Sequence, residues 1–267
     1  MTKLNKDKSR YRYIQRSDIS ISSYIKPPSK HLIFELSDKE QCFNLFISQK
    51  QFEGYGDIAC LNLSSNGFSA APNGTEFSLL PNLTYLDLSF NKIDLAYDNA
   101  FQELKKLEVL DLIWNAHYFK SFGVTHNLNF LKHVPILRVL NMSHNSISTL
   151  TTKQMHSRSS AELQFTHNKL GTLWKVGDDS YKTLFTNLTN LTVLDISWND
   201  IEKIPGDVYE KLPRNLTELR ISNNKMTDFS WDSLSYFHRL QILDLSYNSL
   251  SNIAGIETVT VTKPCLS

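Results

Sequence analysis

The pattern L-x-x-L-x-L-x-x-N recurs along this chain and leaves few folds open to it. Clear copies are LTYLDLSFN ending at Asn91, LEVLDLIWN at Asn115, LRVLNMSHN at Asn145, LTVLDISWN at Asn199, LTELRISNN at Asn224 and LQILDLSYN at Asn248. Looser copies, IACLNLSSN and SAELQFTHN, end at Asn66 and Asn168. In L-x-L the two apolar side chains fall on one face of a short strand, because side chains alternate with period two. The Asn then turns the chain inward, where its amide satisfies backbone groups that a buried turn would leave unpaired. Such a unit cannot bury its apolar face alone, so copies stack on one another.

The expected fold is therefore an α/β solenoid: a leucine-rich repeat horseshoe with a parallel β-sheet on its concave face. The ladder Asn residues are structural in this reading. Successive Asn separations are 25, 24, 30, 23, 31, 25 and 24 residues, so two intervals run long. They contain AHYFKSFGVTHNLNFLKHVPI and KLGTLWKVGDDSYKTLFTNLT. A solenoid keeps its register only if extra residues leave the wall as a loop, and such loops are favoured places for function.

Residues 31–250 form the expected repeat domain, degenerate over 31–59, and 251–267 read as a non-repeat tail. Residues 1–30 hold eight Lys or Arg against Asp7 and Asp18 and read as a flexible basic segment. The net charge of +1 gives the whole molecule no claim on nucleic acid or membrane, so any such claim is local. The chain shows neither a signal-peptide apolar run nor a membrane-length one of about 18 residues, and it reads as soluble.

Three cysteines are too few for a metal cluster or a disulfide scaffold, and no metal or cofactor is expected. The eight His residues are scattered, with His144 and His167 read as solvated strand-edge side chains, and no catalytic constellation emerges, so no enzyme is expected. N-x-S/T triplets beside turns or on outer segments, at Asn73, Asn82, Asn187, Asn190 and Asn215, are candidate glycosylation sites. Those at Asn62 and Asn141 sit inside strand motifs. Acceptors of this kind point to a lumenal or extracellular protein, and with no visible route of secretion they point to a fragment.

The first long interval offers the richest chemistry. Tyr118 and Phe119 can stack on a planar ring, Gly123 lets backbone groups approach it, and Val124 and Thr125 follow. Asp94, just after the turn of the preceding repeat, can accept from a ring N–H or an amidine. The same residues fit a plainer reading, in which Tyr118 and Phe119 cover the repeat edge and Gly123 makes a turn. Spacing does not separate the two.

The runs QFEGYGDIACLNLSSN, GTEFS, LEVLDL, HYF, GVTH, PRNLTELRISNN and FSWDSL closely resemble the ectodomain of Toll-like receptors of the 7, 8 and 9 group, from about residue 42 to 250. The resemblance implies part of an innate immune receptor of the endosome. It would sense single-stranded RNA breakdown products, uridine-like nucleosides and small imidazoquinoline-like agonists as a homodimer, leading to inflammatory signalling. It places Tyr118, Phe119, Gly123, Val124 and Thr125 in an agonist pocket at the dimer interface, Asp94 as the agonist-binding carboxylate and Ala71 as an apolar contact. It also implies a Cys42–Cys60 disulfide, and residues 1–30 as a remnant of the family's long insertion loop. Earlier repeats, a C-terminal cap, a membrane span and a signalling domain are expected outside this chain, which alone should not signal. Two other readings stay open: a leucine-rich protein-interaction module, and a soluble decoy that pairs with full-length receptor.

Overall fold

A computed structural model describes residues 52–115, 126–175 and 177–251, together with strand positions His31–Ile33 and Cys265–Leu266. Ten short strands build one parallel sheet. They are β1 (His31–Ile33), β2 (Cys60–Asn62), β4 (Tyr85–Asp87), β6 (Val109–Asp111), β7 (Val139–Asn141), β8 (Glu162–Gln164), β9 (Val193–Asp195), β10 (Glu218–Arg220), β11 (Ile242–Asp244) and β12 (Cys265–Leu266). A second, two-stranded parallel sheet, β3 (Ser69–Ala70) with β5 (Lys92–Ile93), lies to the side of the first. The leucine-rich solenoid expected from the pattern is the fold, and its pairing runs on to Cys265–Leu266, inside the stretch read as a tail.

Register follows directly from the repeat. Leu61, Leu86, Leu110, Leu140, Leu163, Leu194, Leu219 and Leu243 pair in a single column through consecutive strands. None of the eight is more than 3% exposed. A one-residue slip would turn every one of these side chains out of the core, so the column fixes the pairing. Behind it stands a second column of rings: Phe52, Phe77, Phe101 and Phe130 follow one another at 5.7, 6.2 and 5.6 Å. The outer returns are mostly turns and 3-10 segments, with α1 (Gly206–Tyr209) the single α-helix among the described residues.

The ladder Asn residues tie one repeat to the next. Asn145 Nδ2 donates to the carbonyls of Leu112 and Met142, both at 2.9 Å, and its Oδ1 accepts from the Asn115 backbone N–H at 2.6 Å. Asn168 repeats the scheme, its Oδ1 accepting from the backbone of Asn145 and Ile147 at 3.0 Å. Each amide thus closes a turn within its own repeat and a seam to the previous one.

The second long interval, after Asn168, is described almost throughout. It does not simply leave the wall: Leu173, Trp174, Tyr181, Leu184 and Phe185 are all buried. Tyr181 donates its hydroxyl to the Leu150 carbonyl at 2.7 Å, and Trp174 Nε1 donates to the Tyr181 carbonyl at 3.3 Å. Five apolar or aromatic residues in that interval are enough to build an extra outer layer. Gly171 sits where this layer meets the next repeat, and a Cβ there would collide with the Asp200 carbonyl and lie 2.9 Å from the Asp200 Cβ. Replacing Gly171 by Ala is expected to cost about 2 kcal/mol, because backbone rather than a flexible side chain must move. A lowered urea midpoint with unchanged slope would register it.

Candidate functional site

The small sheet of β3 and β5 positions two of the expected site residues. Ser69 pairs with Lys92 and Ala70 with Ile93, and the Asp94 N–H donates to the Ala70 carbonyl at 2.8 Å. Carried one residue further, that register sets Ala71 beside Asp94, about 4.8 Å apart along the stacking direction. β5 is locked from the far side, since the Ile93 N–H donates to the ladder amide of Asn115 at 2.8 Å. An apolar methyl and a carboxylate therefore share one lateral edge of the solenoid, on consecutive repeats.

Asp94 is half-buried. Burial pushes its carboxyl above the ordinary range, opposed by a hydrogen bond from the Leu95 backbone. It takes no part in the ion pairs found among the described residues. A partly desolvated carboxylate without a cation favours an incoming N–H donor, because a charge-assisted hydrogen bond restores what burial removed. Tyr118, Phe119, Gly123, Val124 and Thr125 lie outside the described residues. The chain returns at His126, which is buried and makes an isolated parallel bridge to Leu150. Its Nδ1 donates to the Thr149 carbonyl at 3.1 Å, and burial lowers its pKa to about 4. His126 is thus a neutral ring fixed to the next repeat.

The concave face carries two features that pattern reading missed. The first is a column of rings. Phe90, Trp114, His144, His167 and Trp198 stack in order at 6.1, 4.5, 4.1 and 4.8 Å, with neighbouring planes inclined by 11–17°. His144 and His167 are not separately solvated, as the sequence suggested; each is a plate in this stack. All five occupy the position before a ladder Asn, with φ between 53° and 58°. That shared left-handed turn aims the side chains alike and lets strand spacing set the stacking distance. The signal in the sequence was a planar residue before the Asn in five consecutive copies.

The second feature is a row of carboxylates. Asp87 and Asp111 face each other across β4 and β6, Asn141 and Gln164 follow in register, and Asp195 and Asp244 flank Arg220 farther along. Each Asp accepts the backbone N–H two residues on, as Asp87 does from Ser89 and Asp111 from Ile113, both at 2.9 Å. That turn-stabilising bond explains Asp or Asn at this position. Burial, and then the charge of Asp87, push the Asp111 carboxyl up to about 7. Among the described residues, groups of three or more His, Cys, Asp or Glu that could hold a metal ion are absent.

Comparison with known proteins decides the lineage of this architecture. Leucine-rich repeat family models match residues 47–116, 187–203 and 214–258. Human Toll-like receptor 8 is 48% identical over 206 residues, 77% of this chain and 20% of that protein. Mouse Toll-like receptor 7 is 43% identical over 204 residues, 76% of this chain and 19% of that protein. The chain belongs to the Toll-like receptor 7, 8 and 9 group. Sheep Toll-like receptor 9 is similar at 38% identity over 219 residues, 82% of this chain and 21% of that protein. The Toll-like chain described here spans about a fifth of the length of the curated relatives it matches.

In this Toll-like receptor chain Cys60 carries a free, buried thiol, which burial and the Asp87 charge push up to about 12. Its expected partner, Cys42, lies outside the described residues. The acceptor triplets sit on outer turns but differ in their bonding. Asn82 Nδ2 donates to the Gly56 carbonyl at 3.1 Å, Asn215 Nδ2 to that of Thr189 at 2.7 Å, and Asn190 Nδ2 to that of Arg158. Asn187 Nδ2 donates to His156 Nδ1 at 3.1 Å. Asn73 is exposed, and its Oδ1 accepts the hydroxyl of Thr75, its own triplet partner, at 2.8 Å. No helix among the described residues is long and apolar enough to cross a membrane.

Proposed function

We propose that this chain supplies one wall of a site for uridine-like nucleosides or short single-stranded RNA fragments, at an interface between two receptor copies facing an endosomal lumen. Occupancy of that site drives inflammatory signalling in the full-length receptor. The observation that carries the reading is the lateral edge on which Ala71 stands with the half-buried Asp94, which makes no ion pair among the described residues, one repeat before the long interval that contains Tyr118, Phe119, Gly123, Val124 and Thr125. Kinship with Toll-like receptors 7, 8 and 9 supports a receptor rather than an unrelated interaction module. Asp94 accepts a ring N–H, the aromatic pair stacks on the ring, and Ala71 packs against its edge. Asn73, Asn82, Asn187, Asn190 and Asn215 carry glycans, and Cys42 pairs with Cys60 in the oxidised protein.

The direct test is titration of uridine into the chain and into its Asp94→Ala variant. Loss of a charge-assisted hydrogen bond should weaken binding by about ten- to a hundredfold. Equal affinity in the two proteins would remove Asp94, and with it the proposed site.

A further inference from the structure

One cleft, of about 530 Å³, opens on the described surface between Asn129 and Lys132 on one side and Thr151, Lys153, Gln154 and His156 on the other. We propose that it binds the phosphate group of a nucleotide or oligonucleotide whose base occupies the lateral site. The inference rests on the nucleoside reading above and extends it to the charged part of the ligand.

Four observations support it. First, the lining is cationic and donor-rich, with two lysines and no acidic side chain among the described residues that line it. Second, both lysines are held but not neutralised. Lys132 lies 3.7 Å from Asp98, an exposed pair worth little in water, and Asp98 already accepts from the amides of Asn127 and Asn129. Lys153 sits over the Tyr181 ring at 3.8 Å, which orients its ammonium without cancelling its charge; Asp178 is the nearby acid. Third, the His156 ring in the cleft wall is fixed in place, its Nδ1 lying 3.1 Å from Asn187 Nδ2.

The fourth observation is position. Thr151, in the cleft wall, donates its backbone N–H to the His126 carbonyl at 2.8 Å, where the chain returns from the long interval. On the other side Asp98, which touches Lys132, lies four residues beyond Asp94 in the same repeat. The cleft is thus linked, through Lys132 and Asp98, to the repeat that holds Asp94.

The test compares uridine, uridine 3′-monophosphate and inorganic phosphate in calorimetric titrations of the chain, of a Lys132→Gln/Lys153→Gln variant and of a Lys132→Arg control. The proposal predicts that the monophosphate binds about tenfold more tightly than uridine, that the double variant erases this advantage, and that it leaves uridine affinity unchanged. Lys132→Arg should keep the advantage. Equal affinity for uridine and its monophosphate, or an advantage that survives in the double variant, overturns the cleft while leaving Asp94-dependent uridine binding intact. Lysine-dependent binding of inorganic phosphate without any uridine binding would uphold the cleft and defeat the nucleoside reading. Absence of all three would defeat both.

Discussion

Replacing Asn145 by Ala should lower the stability of the chain by about 3–5 kcal/mol, the largest loss expected from any single truncation in the repeat wall. The side chain is fully buried and serves three backbone groups in two consecutive repeats. Alanine would orphan the carbonyls of Leu112 and Met142 and the N–H of Asn115 where water cannot reach them, at about 1–3 kcal/mol each before relaxation. Asn115 also starts the long interval, so the loss falls just before the stretch that contains Tyr118 and Phe119. An outer amide such as Asn215, which makes one exposed bond, should cost under about 1 kcal/mol when truncated. Urea unfolding of the two variants reads the contrast; similar losses would mean that the ladder amides do not hold the repeats together.

Asp111→Asn should do the opposite and stabilise the chain above neutral pH by about 1–3 kcal/mol. Folding raises this carboxyl from 3.8 to about 7, so the folded state binds a proton more readily than the unfolded one. The contribution is fully present below pH 3.8 and is lost as pH rises through about 7. Asn keeps the acceptor that holds the Ile113 N–H, as Asn141 does for Ser143 in the next strand, and carries no charge to bury.

The histidines act with the reverse sign. Folding lowers His126 and His144 from 6.5 to about 4, mainly by burial, so their contribution is present above pH 6.5 and falls away on acidification toward 4. In the parent chain the Asp111 gain opposes this loss between pH 4 and 6.5, whereas the Asn variant should show a steeper acid decline. Melting temperatures of the two proteins should diverge above pH 7 and converge near pH 4. Parallel profiles would show that Asp111 is not the raised group.

The wall of this molecule was legible because its constraints are local and periodic. Leu110 and Leu140 declare their face at the centre of their strands, and Asn115 and Asn145 mark the turn. The lateral edge was half legible: Asp94 and Ala71 are unremarkable residues whose adjacency arises only when β3 and β5 pair 23 residues apart. The ring column and the acid row escaped notice for a related reason. Nothing within one repeat says that Trp114 will touch His144, 30 positions on; the stacking exists only across repeats. Likewise the interval after Asn168 looked like a projecting loop until Trp174 and Tyr181 were seen to close over the core, an outcome set by long-range burial rather than by spacing.

Backbone amide NMR during a uridine titration distinguishes a ligand at the lateral edge from one on the concave wall. Saturable shifts are expected at Ala70, Ala71, Asp94 and Leu95, with Trp114, His144 and Trp198 unmoved. Shifts confined to the ring column would contradict the lateral site.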